Sequence, residues 1–324
     1  MNHFLHDDIT LPHIWQAKRR IGNIVSETPL ISSPQLEEKI GASVYLKLEN
    51  MHETGSFKIR GAANKLLSLS KEEKLTGVTT FSTGNHGLAV AYVAKRLGIK
   101  AVICISNRVP NAKVERLERL GATVIKVGNS QDEAEQYCYT LEKEKGLTVI
   151  KPFDDPHVIA GQGTIALELL QEIPHLDTAI IPVSGGGLFS GICFVLKRYN
   201  PNIRLIGVSM ERSPVMYESI KKNKPVILEE QETLADSLLG GIGLENKYTF
   251  SMVKNHIDDF VLLTEREIKD GIAYMLHEHR LVVEGAAATP IGAILNKRVE
   301  NAGKNIAAVI TGNNVDISVI KELI

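Results

Sequence analysis

The chain is short of the residues that mark several specialised classes of protein. It has 3 cysteines in 324 residues, Cys104, Cys138 and Cys193, with no Cys-x-x-Cys pair and no His/Cys cluster. A disulfide framework and a zinc site are therefore not expected, and the sparse, odd count fits a reducing, cytoplasmic setting. No charge of one sign dominates: 37 Lys and Arg face 38 Asp and Glu, for a net −1. That leaves no field to draw nucleic acid or a membrane surface, and short basic runs such as Lys18-Arg19-Arg20 read as solvated helix faces. The apolar run Ile180–Leu196 is broken by Pro182 and four glycines, so it is not read as a membrane span. Met1–Asp8 carries acids and no apolar core, so no signal peptide is expected. Internal repeats, low-complexity tracts and long Gly/Ser linkers are missing too.

What is present is an ordinary globular mixture, 44% hydrophobic and 23% charged, long enough for two lobes. Short β-branched runs alternate with helical patterns. Strands are expected at 44–48, 78–81, 101–105, 123–127, 148–151, 179–183, 205–208, 260–263 and 307–310. Helices are expected at 87–97, 112–120, 131–145 and 158–171. Alternation of this kind predicts an α/β fold with mostly parallel sheets flanked by helices. Near-continuous apolar strands such as Ala101-Val102-Ile103-Cys104-Ile105 predict burial on both faces.

Three segments carry chemistry. Thr54-Gly55-Ser56-Phe57-Lys58-Ile59-Arg60-Gly61 sets one lysine in a turn of small residues before a helical pattern. Such a turn lets a planar group approach, and partial burial would lower the lysine pKa, as a Schiff-base lysine requires. The alternative is a plain helix start capped by Ser56 with Lys58 in solvent. Phe81-Ser82-Thr83-Gly84-Asn85-His86-Gly87 and Ile180-Ile181-Pro182-Val183-Ser184-Gly185-Gly186-Gly187-Leu188 each follow a β-rich run and open into a helical pattern. In a strand–turn–helix the backbone N–H groups and the positive helix end converge on one spot, a seat for an anion. The glycine run is not a Walker loop. Nor does it keep Gly-x-Gly-x-x-Gly, because Ser190 stands at the third glycine. A tight turn alone would explain it equally well.

In this order, and with Thr311-Gly312-Asn313-Asn314 near the end, the motifs resemble the fold-type II pyridoxal-phosphate (PLP) enzymes. The closest group is the threonine/serine dehydratase and serine racemase family. The resemblance runs over essentially the whole chain. It implies a two-lobed fold similar to the tryptophan synthase β subunit. Residues 54–148 would be a small inserted domain, residues 1–53 and 149–324 a large PLP-binding domain, and the cofactor would lie between them. It also implies a homodimer.

The resemblance assigns roles to particular residues. Lys58 would form the Schiff base and act as the base at Cα, with Phe57 beside the cofactor. Ser184, Gly185, Gly186, Gly187 and Leu188 would hold the phosphate. Asn85 would bond the phenolic oxygen, and Thr311 the pyridine nitrogen. A hydroxyl does not hold that nitrogen protonated, which suits elimination over transamination. Glu284, a lone carboxylate in Val282-Val283-Glu284-Gly285, would be either structural or close to the ring. Ser82, Thr83, Gly84, Asn85 and His86 would receive the substrate carboxylate. His86 reads more readily as a structural hydrogen-bonder than as a base. Thr83 sits where racemases carry an acid/base serine and many dehydratases an alanine.

Some positions depart from the family pattern. Ser184, Ser237 and Asn313 stand where glycines are usual. The racemases' cation site needs two carboxylates, but the matching positions, Ser209 and one near Val215, are read as offering none, so no metal is expected. The expected reaction is α,β-elimination of water from a β-hydroxy amino acid of L-threonine or L-serine type, giving a 2-oxo acid and ammonia. Three alternatives stand beside it. Ser82-Thr83-Gly84-Asn85-His86-Gly87, Ala235-Asp236-Ser237-Leu238 with Gly240-Gly241, and Thr311-Gly312-Asn313-Asn314 are together similar to the hydroxyectoine utilization dehydratases. Racemisation is the second alternative. A non-catalytic ligand-binding protein is the third, and the intact Lys58, Asn85 and Thr311 argue against it.

Overall fold

The apolar strands sort their side chains to two sides, which explains why they are apolar along their length. The structure, a computed structural model, describes residues 8–82, 84–109, 111–129 and 131–321, without the side chains of Gln131 and Asp132. Its larger sheet contains β1 (Leu30–Ser32), β2 (Ser43–Leu48), β7 (Thr178–Pro182), β8 (Arg204–Met210), β9 (Asp259–Leu263) and β10 (Asn305–Ile310), in the order β1-β2-β10-β7-β8-β9. Only β1 runs antiparallel. On β10, Ala307 and Val309 enter one core, while Ile306, Ala308 and Ile310 enter the other. Each face is thus closed by helices, as a parallel sheet requires.

The smaller sheet is all parallel, in the order β5-β4-β3-β6, with β3 (Val78–Thr80), β4 (Ala101–Ile105), β5 (Thr123–Lys126) and β6 (Thr148–Val149). Here β4 sends Ala101, Ile103 and Ile105 to one side and Val102 and Cys104 to the other. The first of these cores also takes Ile59, Ala62, Ala63 and Leu66 from the helix Lys58–Ser68, and Ile21 and Val25 from the N-terminal region. All three cysteines are buried thiols.

Some boundaries differ from the sequence reading. β1 has only three residues at a sheet edge, too short to announce itself. β6 stops at Val149, not Lys151. Ile150 N–H still donates to Thr79 O, but Pro152 has no N–H to extend the ladder and disfavours helix at Lys151, so the chain turns away. Two helices start earlier than their apolar pattern shows. One runs Asn85–Leu97. The other runs Pro156–Glu172, where Asp155 accepts from the N–H groups of His157 and Val158. Among the described residues no helix is long and apolar enough to cross a membrane.

Candidate active site

The site lies where β3, β7 and β10 end. In an open parallel sheet, ligands bind outside the carboxyl ends of the strands. The loop after β3 leads into the helix Asn85–Leu97, and the loop after β7 into the helix Gly187–Tyr199. Neither helix start has a side-chain cap. Their first N–H groups are left for an anion. Gly186 makes the second turn possible: its φ is +85°, and a Cβ there would lie about 3.0 Å from Thr249 and Val253.

The Lys58 turn is stitched to the end of β10. Phe57 N–H donates to Thr311 O at 3.1 Å, Asn313 N–H donates to Gly55 O at 2.9 Å, and Ser56 bridges Gly312. Lys58 itself opens the helix Lys58–Ser68. Phe57 is the N-cap, so Ser56 is not the cap that a plain helix start would use, and its buried hydroxyl has no partner among the described residues. Two residues on, Arg60 fixes this helix to its surroundings. It is fully buried and donates to Glu49 at 2.7 and 2.8 Å, to Glu168 at 2.5 and 2.8 Å, and to Thr164 at 3.0 Å. Lys47 supplies the second cation of this cluster, 2.6 Å from Glu168, and His52 stands 3.0 Å from Glu49. Two cations and two carboxylates thus neutralise one another where none could stay ionised alone.

These connections gather the sequence-predicted residues around one cavity of about 250 Å³. Phe57, Lys58, Ser82, Gly84, Asn85, His86, Ser184–Leu188, Glu284 and Thr311 all line it. Thr83 lies outside the described residues. Lys58 Nζ donates to Pro152 O at 2.9 Å. Burial pulls its pKa down to about 8 against the opposing attraction of Glu284, so about one amine in ten is neutral at pH 7. His86 is buried. Burial, helped by the Lys58 charge, drives its pKa to about 3. The neutral ring donates from Nε2 to Ile150 O at 2.9 Å, which makes it a brace for the loop.

Glu284 is the hub of a polar chain. Asn85 Nδ2 donates to both its oxygens at 2.9 and 3.0 Å, and Ser237 Oγ donates at 2.9 Å. Burial still raises the Glu284 pKa despite these donors. Gly312 is required here, because a Cβ would stand 2.8 Å from the carboxylate. Asn85 Oδ1 accepts from Asn314 Nδ2 at 2.5 Å, and Asn314 Oδ1 accepts from Arg116 Nη2 at 2.6 Å. The amide of Asn85 is therefore spent on Glu284 in this structure.

Sequence reasoning missed Pro152, Phe153, Asn314, Lys113, Arg116 and the carboxylate of Asp236, all of which line the cavity. Asn314 lay within a quoted motif. Lys113 and Arg116 had no signal beyond the polar pattern of an amphipathic helix. At the racemases' cation position, Ser209 Oγ points to Met210 Sδ at 3.4 Å and Val215 is buried. No group of three or more His, Cys, Asp or Glu among the described residues could hold a metal.

Thr311 Oγ1 is buried with no hydrogen-bond partner among the described residues, an arrangement that costs free energy unless a ligand supplies one. It faces the same cavity as an uncapped helix start and a lysine amine of lowered pKa. A ring nitrogen, a phosphate and an aldehyde are what such a set complements, so the residues fit pyridoxal phosphate.

Comparisons with known proteins agree. An L-threonine ammonia-lyase of Thermotoga maritima is 41% identical over 316 residues, spanning 98% of this chain and 78% of that protein. A catabolic L-threonine dehydratase of Staphylococcus aureus is 41% identical over 320 residues, spanning 98% and 92%. The solved structure of maize serine racemase superposes with a TM-score of 0.92 at 32% identity, covering 97% of this chain and 96% of that one. Residues 21–312 match the pyridoxal-phosphate dependent enzymes as a family. With that match over most of its length, the chain belongs to the pyridoxal-phosphate dependent enzymes.

Proposed function

We propose that the chain eliminates water from a β-hydroxy amino acid of L-threonine or L-serine type, releasing a 2-oxo acid and ammonia. The observation that carries this is the lysine amine with a pKa of about 8 in a cleft shared with the Thr311 hydroxyl. The relatives named for threonine dehydration or deamination support it.

When bound, pyridoxal phosphate supplies the electron sink that makes the Cα–H bond acidic. The protein's residues would do the rest. Lys58 Nζ would take the Cα proton, since an amine near neutrality can accept and return one within a turnover. The turn Ser184–Gly187 and the helix start behind it would hold the phosphate. The Thr311 hydroxyl would meet the ring nitrogen without fixing a proton there, as a carboxylate would. Ser82, Gly84 and the uncapped helix start at Asn85 would seat the substrate carboxylate. Glu284 would hold Asn85 through the two bonds described, and His86 would brace the loop. Phe57, Leu88, Leu188 and Leu239 line the cleft and would keep water from the reacting carbon.

We take residues 54–148 as the smaller lobe. The smaller sheet, whose strands lie between Val78 and Val149, supports this. A cytoplasmic homodimer is inferred from the few cysteines and the family resemblance. Similarity to maize serine racemase supports a second reading, racemisation, for which the relevant hydroxyl would be that of Thr83. For a diamino acid derived from hydroxyectoine, the outer cleft offers one carboxylate, Asp236, against two cations, Lys113 and Arg116.

The test is incubation of the PLP-loaded protein with L-threonine and L-serine, assaying oxo acid and, on a chiral column, the D-enantiomer. Oxo acid in large excess is expected. D-product forming as fast as oxo acid would replace elimination by racemisation.

A further inference from the structure

A second cavity lies outside the catalytic cleft and shares no lining residue with it. Its volume is about 420 Å³, within the range of small-molecule sites, and it lies between the helix Leu11–Ile21 and the start of the helix Pro156–Glu172. His13, Gln16 and Arg20 are three and four residues apart, so one face of the first helix forms a wall. From His13 to Arg20 that wall rises about 10 Å, which makes the cavity elongated. Its two ends differ in charge. At one end Asp8, just before the helix, accepts from the Tyr248 hydroxyl at 2.9 Å. At the other, Arg20 Nη1 donates to Asn64 Oδ1 at 2.7 Å, and Asn64 Nδ2 donates to His157 O at 2.7 Å. That single bond leaves Arg20 Nε and Nη2 without a hydrogen bond, and the guanidinium without an ion pair, among the described residues. Besides Asp8 and Arg20, the groups that His157 and Tyr248 sense are Asp154, Asp155, Lys65 and His13. Lys65 and Asp155 pair at 2.6 Å, and Asp154 takes the N–H groups of Lys247, Tyr248 and Thr249 at 2.9, 2.9 and 3.1 Å. Burial lowers the His157 pKa, with Asp155 opposing and Lys65, Arg20 and His13 reinforcing, so that ring is neutral at pH 7. One anion and one cation are left, at opposite ends of the cavity.

We propose that this cavity is a binding site for an elongated zwitterion, with the ammonium end on Asp8 beside the Tyr248 hydroxyl and the carboxylate end on Arg20. A simple anion would satisfy Arg20 alone, and a simple cation Asp8 alone. An α-amino acid carries both charges on one carbon, too close together to serve both ends. The fitting class is an ω-amino acid or a short peptide with free termini. The site does not depend on the dehydratase reading, but its walls reach the cleft. Asn64 lies on the helix that Lys58 opens. Asp154, which holds the Tyr248 N–H, follows Pro152, whose carbonyl accepts from Lys58, and Phe153, whose ring packs against Gly185. A ligand that ties Tyr248 to Arg20 would thus grip elements that also shape the catalytic site.

6-Aminohexanoate, hexanoate and hexylamine test this, because they share one apolar chain and differ in their charged ends. Calorimetry is done on the PLP-loaded enzyme after borohydride reduction, so that no probe amine can exchange onto the cofactor. 6-Aminohexanoate should bind about tenfold more tightly than either single-ended probe, as expected for one added contact between charged groups. Asp8→Asn should erase its advantage over hexanoate, and Arg20→Gln its advantage over hexylamine. Arg20→Lys keeps the charge and should retain most of the advantage, which separates a lost contact from a lost fold. Triglycine in the same titration distinguishes the two sources: binding tighter than that of 6-aminohexanoate marks a peptide site, and weaker binding an ω-amino acid site. Equal binding of the three six-carbon probes, binding of none, or an advantage that survives the matching substitution would overturn the site.

Discussion

Thr311 carries a buried hydroxyl that has no hydrogen-bond partner among the described residues. Replacing it by valine removes an unpaired polar atom and keeps the shape. Thr311→Val should therefore leave the melting temperature of cofactor-free protein unchanged or slightly higher, while PLP affinity falls about tenfold, the worth of one hydrogen bond. Equal loss of both would mean that the hydroxyl serves the fold. Lys58 gives a second residue-scale test. Its pKa of about 8, against the ordinary 10.5, means that the reactive neutral amine appears as pH rises through 8. In cofactor-free protein, labelling of Lys58 by an amine reagent, read by mass spectrometry, should be half-maximal near pH 8. Surface lysines should lag by about two pH units. A Lys58 profile that coincides with theirs would remove the desolvation argument. These two residues were legible in the sequence because each sits in a dense motif of small residues.

The helix Lys58–Ser68 owes its position to the buried cluster of Arg60, Glu49, Glu168 and Lys47. Arg60→Ala would leave Glu49 and Glu168 short of a partner and should cost about 3–5 kcal/mol in denaturant unfolding, with Arg60→Lys recovering part. Burial alone would raise the Glu49 pKa, but the Arg60 charge and His52 bring it well below the usual carboxylate range. A depressed carboxylate stabilises the fold above its unfolded pKa of about 4.5 and loses that contribution as pH falls. The deficit of Arg60→Ala should therefore be full at neutral pH and narrow in acid. A deficit constant down to pH 3 would contradict the assignment. At this scale the sequence was partly legible. Strands such as Ala101–Ile105 could be read because burial on both faces makes them apolar throughout. β1 was not read, because three edge residues carry no pattern. The early helix starts at Asn85 and Pro156 were missed because first turns are polar.

Across the whole molecule, the site joins segments as far apart as Gly55 and Asn313, tied by Phe57 N–H to Thr311 O and Asn313 N–H to Gly55 O. The motifs marked residues that line the cavity, but the sequence could not show which residues stand opposite one another across the cleft. Lys113 and Arg116 illustrate this. Neither carries a signal beyond the polar pattern of an amphipathic helix, and only the fold turns them into the cavity. The central claim is that this convergence makes Lys58 the residue that carries the cofactor. Borohydride reduction of the PLP-loaded enzyme, followed by proteolysis and mass spectrometry, tests it most directly. The account predicts a phosphopyridoxyl group on the peptide containing Lys58, and none in Lys58→Ala. A label on any other lysine of the wild type, or an undiminished label in the variant, would contradict it.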